Sequence, residues 1–150
     1  MKNKDAIILF RSLDKLADLR GVKFAYGVSR NLTKLKPIMG SLEKSIEGTP
    51  EYIKFDEARV ELARKHSIKD EKGEPKIENN GFIIEDLKAF EKDFEKLKKD
   101  NKGLVDAREK QVKEYNELLE LECVFDPYMI KLADVSDKGN RSRSHGGSRD

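Results

Sequence analysis

Between residues 28 and 63 a ladder of alternating steps of four and three runs without interruption: Val28, Leu32, Leu35, Met39, Leu42, Ile46, Thr49, Ile53, Asp56, Val60 and Ala63. That spacing is a heptad seam, the signature of a helix that lays one narrow face against another helix. A one-sided stripe on an otherwise charged helix cannot be buried alone. The chain must therefore supply a partner helix or borrow one from another subunit, and the charged helical segment from about 85 to 120 is the obvious internal candidate. Composition agrees: with 37% hydrophobic and 40% charged residues the chain is too polar for a thick globular core but suits long helices packed pairwise. Unfolded chains share such a composition, yet a disordered sequence has no reason to hold the ladder in register.

The net charge of +2 is concentrated at the end of the chain. After Val135 come Lys138, Arg141, Arg143 and Arg149 against Asp137 and Asp150, and no apolar side chain. The segment 136–150 is accordingly expected to be a disordered basic tail. Residues 1–135 are electrically balanced and sign-mixed, which predicts no broad footprint for nucleic acid beyond a weak, salt-sensitive attraction by the tail. One cysteine, Cys123, excludes an intrachain disulfide and fits a reducing compartment. The apolar run Ala6–Phe10 is too short for a signal-peptide core, and nothing approaches a membrane span. A soluble intracellular protein of one domain, 1–135, plus tail is expected.

The first helix is predicted over residues 4 to 19, with Ala6, Leu9, Phe10, Leu13, Leu16 and Ala17 on one face and Gly21 ending it. A second helix starts near Val22 and runs toward His66. Pro37 should kink it, and Gly48-Thr49-Pro50-Glu51 reads as a restart with Thr49 as N-cap. Because the ladder keeps its phase through both, one bent rod is expected. From Ser67 to Ile84 the helical period disappears, and Lys69 to Pro75 and Asn79-Asn80-Gly81 are turn signals. Short flanks at 67–69, 76–78 and 82–84 are compatible with a small β-tip or with an ordered loop. A third helix from about Glu85 carries Leu87, Phe90, Phe94, Leu97 and Leu104, then polar Asn101, Arg108 and Gln111 on the same stripe. Residues Asp100–Gly103 read as a splitting turn or as helix; the return of Tyr115 and Leu118 in phase favours continuity. Cys123–Phe125 and Tyr128–Leu132, bent at Pro127, predict one or two short strands. Such a strand must lie near the Gly21 end of the hairpin or pair with another copy.

The segment Val22-Lys23-Phe24-Ala25-Tyr26 with Asn31, the turn from Lys69 through Gly73 and Pro75 to Asn80, and Arg108–Gln111 with Glu114–Leu119 together resemble a group of small helical-hairpin proteins of tailed bacteriophages and prophages, whose domains have no assigned function. The likeness spans roughly residues 20 to 133. It implies a phage context and a helix, tip, helix, strand layout, and no activity or cofactor to carry over. The group usually continues past the strand with an apolar, acidic segment; this chain departs from that pattern with its basic Gly/Ser-rich end.

No residue pattern supplies catalysis. His66 has no second ligand near it and sits where a helix C-terminus favours histidine. The acidic turn around Asp70, Glu71, Glu74 and Glu78 has Lys72 and Pro75 where a calcium loop needs oxygen ligands. Cys123 in an apolar segment reads as a small buried hydrophobe, and Gly21 with Gly27 matches no phosphate loop. The fold class expected is mostly α: an antiparallel, coiled-coil-like hairpin of long helices with a short N-terminal helix, a β or loop tip and a short C-terminal strand. The functional expectation is a non-enzymatic phage interaction protein without metal or cofactor, which homo-oligomerises or docks on a virion or assembly component, in the host cytoplasm or the virion. A chaperone-like or host-regulatory hairpin is the rival. Candidate interaction residues are Phe24, Tyr26, Val28, Val124, Phe125 and Tyr128, at the end where the seam begins and the terminal strand returns.

Overall fold

The computed structural model describes residues 1–135; the expected basic tail, 136–150, lies outside the described residues. Among the described residues the chain is mostly helical, in the order α1 (Asn3–Lys15), α2 (Val22–Ile46), α3 (Pro50–Lys65), β1 (Ile77–Glu78), β2 (Gly81–Phe82), α4 (Leu87–Asp100), α5 (Lys102–Leu119) and a 3-10 turn, η1 (Leu132–Asp134). They gather into two compact units, Met1–Ser45 with the chain from Tyr115 onward, and Ile46–Glu114.

In the first unit the seam becomes a core. Phe24, Val28, Asn31, Leu35 and Leu42 of α2 are buried, and with Ala6 and Leu13 of α1 they make up most of the buried side chains of the unit. Leu35 has no exposed surface, and burial of a leucine stabilises by roughly 1.5–3 kcal/mol. α1 is shorter than predicted. Leu16 caps it, with Leu16 N donating to Leu13 O and Ala17 N to Asp14 O, and this tight turn leaves Leu16 and Ala17 exposed. α2 runs through Pro37 without a break, and the proline ring faces solvent. Residues 1–3 dock on the chain after α5: Asn3 N donates to Leu121 O (2.9 Å), Cys123 N to Met1 O (2.9 Å), and Asn3 Nδ2 to Leu118 O (2.8 Å). The asparagine thus takes up a carbonyl that the last turn of a helix leaves without an intrahelical partner.

The restart expected at Gly48–Glu51 separates α2 from α3 between residues 46 and 50. Thr49 is an N-cap, its Oγ1 accepting from Tyr52 N at 3.2 Å, with Pro50 at the first helical position. As the cap, Thr49 is exposed and drops out of the stripe. Ile53, on the ladder, is 48% exposed, whereas Phe55, off it, is buried at 7%. The stripe is interrupted at Thr49 and Ile53, while Asp56, Val60 and Ala63 further along it are half-buried.

In the second unit α3 packs against α4. His66, at the end of α3, places Nε2 2.8 Å from Asp93 Oδ2 and its ring edge-on to Phe90, which stacks on Phe94. The linking segment is a β-tip. β1 and β2 pair antiparallel around Asn79 and Asn80, both at positive φ (50° and 62°), the two-residue turn that suits a right-twisted hairpin. Three extended pieces close on one another: Ile68 N donates to Ile83 O, Ile83 N to Lys76 O, and Lys76 N to Ile68 O. Asp70 Oδ1 accepts from Lys72 N and Glu74 N, and Gly73 takes a positive φ of 78° that favours glycine.

Helical continuity near residue 101 is also corrected. α4 ends at Asp100, and Asn101 Nδ2 donates to Leu97 O at 2.9 Å, so the side chain competes for a carbonyl the helix would use. α5 begins at the next residue, which is why the apolar phase returns downstream. The polar stripe residues have partners: Arg108 Nη1 donates to Ile46 O (2.6 Å), Gln111 Nε2 to Glu47 O (3.0 Å), and the Arg108 guanidinium lies 5.1 Å from the Tyr52 ring centre.

Candidate interaction site

The C-terminal segment does not form the strand its sequence suggests. Beyond an isolated antiparallel bridge between Lys2 and Glu122, residues 123–131 belong to no helix or sheet. Their alternation is strand-like, and Asp126 before Pro127 is biased to the extended region. The partner, however, is a helix rather than a strand. Asn31, buried on α2, donates Nδ2 to Tyr128 O (2.9 Å) and accepts Tyr128 N at Oδ1 (2.7 Å). One side-chain amide thereby stands in for the neighbouring strand that Tyr128 would otherwise pair with. Lys34 Nζ adds a bond to Asp126 O at 2.8 Å.

Close approach of the segment depends on Gly27. A Cβ there would lie 2.6 Å from Ile130 Cγ1 and 3.3 Å from Tyr128 Cδ1. With that space free, Ile130, Cys123 and Phe125 pack against the core. Immediately before Gly27, Tyr26 meets Tyr128 edge-to-face, with ring centres 5.4 Å apart. Arg30 braces both: its guanidinium lies 5.6 Å from the Tyr26 ring centre and 5.7 Å from that of Tyr128, and Nη1 donates to Tyr26 Oη at 2.9 Å. Such an arginine over two rings adds an attraction of about 0.5–1 kcal/mol per ring at exposed sites.

The docked segment and the start of α2 form an open groove of about 390 Å³, lined by Val22, Lys23, Tyr26, Tyr128, Met129, Lys131 and Asp134. Val22 is 91% and Met129 77% exposed. Asp134 is turned toward its own backbone, Oδ2 accepting Lys131 N at 3.2 Å. Among the described residues neither Lys23 nor Lys131 is in an ion pair. The groove thus offers two exposed apolar side chains, two tyrosine rings and two ammonium groups.

Of the six residues expected to form an interaction surface, the fold brings Tyr26 and Tyr128 together in the groove. Phe24 and Val28 are buried and belong to the core. Phe125 is half-buried as an anchor of the segment, and Val124, 99% exposed, is not part of the groove lining. Sequence reasoning missed Val22, Lys23, Met129 and Lys131. The step of four from Val22 to Tyr26 to Arg30 marks one helix face, but its counterpart is about a hundred residues away and becomes adjacent only through Asn31.

The other features weighed for chemistry have structural roles. His66 is engaged with Asp93 and Phe90, Cys123 is half-buried with Sγ 3.9 Å from Lys2 O, and no cluster of metal-ligating residues occurs among the described residues. No described helix is long and apolar enough to cross a membrane. The clearest electrostatic perturbation lies at the docked N-terminus: hydrogen bonds from Lys2 and Lys4 hold the Glu120 carboxyl down at about 2. Comparison with protein-family models, with curated proteins and with solved structures finds no match to this chain.

Proposed function

We propose that this is a non-enzymatic interaction protein whose first unit binds another protein through the Val22–Tyr26–Tyr128–Met129 groove. The carrying observation is the combination of exposure and support at one place. Val22 and Met129 present apolar surface to solvent, while the residues beneath are fixed by Asn31, Gly27 and the Arg30–tyrosine stack. A surface already held in place loses less entropy on binding than a loose one. Tyrosine and arginine are also the side chains on which binding energy concentrates.

A coiled-coil-like, antiparallel pairing of helices is our reading of the scaffold, supported by the burial of Val28, Leu35 and Leu42 in α2 and by the packing of α3 on α4. The phage context suggested by the sequence makes a virion or assembly component, or a second copy of the chain, the partner to seek, in the host cytoplasm or the particle. The test is light scattering and cross-linking of the full chain, alone and in extracts of producing cells. A complex or oligomer that Met129→Arg disrupts, with the helical circular dichroism unchanged, is the expected result. A monomer without partners, or a complex indifferent to Met129→Arg, would overturn the reading.

A further inference from the structure

We infer that the occupant of this groove is an acidic amphipathic segment of another protein, an apolar or aromatic side chain bracketed by carboxylates; the inference rests on the groove being a protein-binding site. Charge complementarity carries it. Lys23 and Lys131 line the groove with Val22 and Met129 and neither is in an ion pair among the described residues, while the one lining carboxylate, Asp134, is engaged with the backbone of Lys131. The surrounding helix has the same sign: α2 carries Lys23, Arg30, Lys34, Lys36 and Lys44 against a single acid, Glu43. An apolar ligand without charge would leave two ammonium groups beside a newly dried surface, and a basic one would add repulsion. Carboxylates flanking the inserted side chain satisfy both lysines at the rim.

Two occupants from within the chain fit less well. The sequence after Val135 offers no apolar side chain, and its Lys138, Arg141, Arg143 and Arg149 against Asp137 and Asp150 repeat the sign of the groove. The acidic, apolar stretch of a second copy, around Leu121, has its glutamates committed: Glu120 to Lys2 and Lys4, Glu122 to the N-terminal amine. Nucleic acid would meet the two lysines, but it has no use for the Val22 and Met129 side chains.

The experiment pans a displayed library of random peptides of about a dozen residues, enough for one short recognition segment, against the full chain and against the surface variants Met129→Arg and Lys23→Glu/Lys131→Glu. Expected are enriched sequences with an apolar or aromatic residue between Asp or Glu, lost on Met129→Arg. The double charge reversal should weaken a synthetic enriched peptide by about tenfold or more, because two attractive rim contacts become like-charge repulsions, and should itself select Lys- or Arg-flanked sequences. Groove-dependent enrichment of neutral or basic sequences would overturn the acidic occupant and leave the groove reading standing. Enrichment unaffected by Met129→Arg, or none, would overturn both. Self-association broken by Met129→Arg, or an oligothymidylate probe that binds the wild type and not the charge-reversed form, would also overturn the acidic occupant.

Discussion

The two units contain the same ingredient, short non-helical segments beside helices, and satisfy it in opposite ways. In the Ile46–Glu114 unit the three extended pieces of the tip bond to each other in a closed cycle through Ile68, Ile83 and Lys76, and the first of their turns is capped by Asp70. In the first unit the segment 123–131 is held chiefly by side chains, Asn31 and Lys34, along one edge. Burial differs too: Ala6, Leu13, Phe24, Val28, Leu35 and Leu42 are buried apolar residues of the first unit, whereas Phe55 is that of the second among the described residues. A closed tip is finished as a structure. A segment clamped from one side on a solid core leaves its other side, with Met129, exposed, and that is the side the proposed partner would meet.

The largest effect that would break this contrast concerns the core. Leu35→Asp puts an unpaired carboxylate at a fully buried position and is expected to cost about 4 kcal/mol or more. Ile53→Asp, on the same sequence ladder but half-exposed, should stay within about 0.5 kcal/mol. Urea unfolding followed by circular dichroism measures both. Equal costs would mean that Ile53 is buried as Leu35 is and that the stripe is not interrupted at the Thr49 cap.

The clamp comes next. Asn31→Leu removes both partners of the Tyr128 backbone and should destabilise by about 2 kcal/mol. Asn31→Asp keeps an acceptor for Tyr128 N but turns a donor into a second acceptor facing Tyr128 O, so it should cost about as much while leaving the Tyr128 amide better protected than in Asn31→Leu. Amide hydrogen exchange of Tyr128 reads the difference. Tip amides such as Ile68 and Lys76 should be unchanged in either variant, and their concerted loss would show that the two units are not independent.

A matched pair of glycines sharpens the comparison within one helix. Gly40→Ala meets nothing within 4 Å and should stabilise by up to about 1 kcal/mol through helix propensity. Gly27→Ala gains the same propensity, but its Cβ overlaps Ile130, and overpacking of about 1–3 kcal/mol reverses the sign. Melting temperatures of the two variants should therefore move in opposite directions. A rise for both would mean that Ile130 does not sit on Gly27.

These effects also mark what could be read in advance. Burial of Val28, Leu35 and Leu42, the Thr49 cap and the turn at Asn79-Asn80 follow from local spacing and local chemistry, and all are visible in the sequence. The break at Asn101 is legible as the turn signal Asp100–Gly103, but the return of Tyr115 and Leu118 in phase argues against it, because a one-residue interruption restores nearly the same phase. The terminal strand was misread for a different reason. Alternating apolar residues report an extended backbone but not its partner, and here the partner is one asparagine on a helix far away in sequence. Gly27 matched no phosphate-binding spacing and looked uninformative, because the reason for it is Ile130, which only the fold brings close. The groove was half visible for the same reason: Tyr26 and Tyr128 stand out as exposed aromatics, while Lys23 and Lys131 are ordinary surface lysines until they line one groove.

The smallest expected effect lies at the first unit's own anchor, where the start of the chain docks. Lys2 Nζ and Lys4 Nζ donate to Glu120 at 2.7 and 2.6 Å, which lowers its pKa from 4.5 to about 2. The folded value is the lower one, so between the two values the unfolded chain binds more protons. The contribution is present above about 4.5, shrinks as the pH falls, and is gone once it passes through about 2. Lys2 and the N-terminal amine are shifted the other way, raised from 10.5 and 8.0 by hydrogen bonds with Glu120 and Glu122. Their contributions are complete below those values and fade as the pH rises through the raised ones. The anchor should therefore be firmest between about 4.5 and 8.0. All of these groups face solvent, so salt screens the effect and it stays small. Thermal scans of the wild type and Glu120→Gln across pH, at low and high salt, supply the check. The gap between them should be level near neutrality, close toward pH 2 and narrow in salt; a gap of constant width down to pH 2 would mean that Glu120 acts through packing and not through its charge.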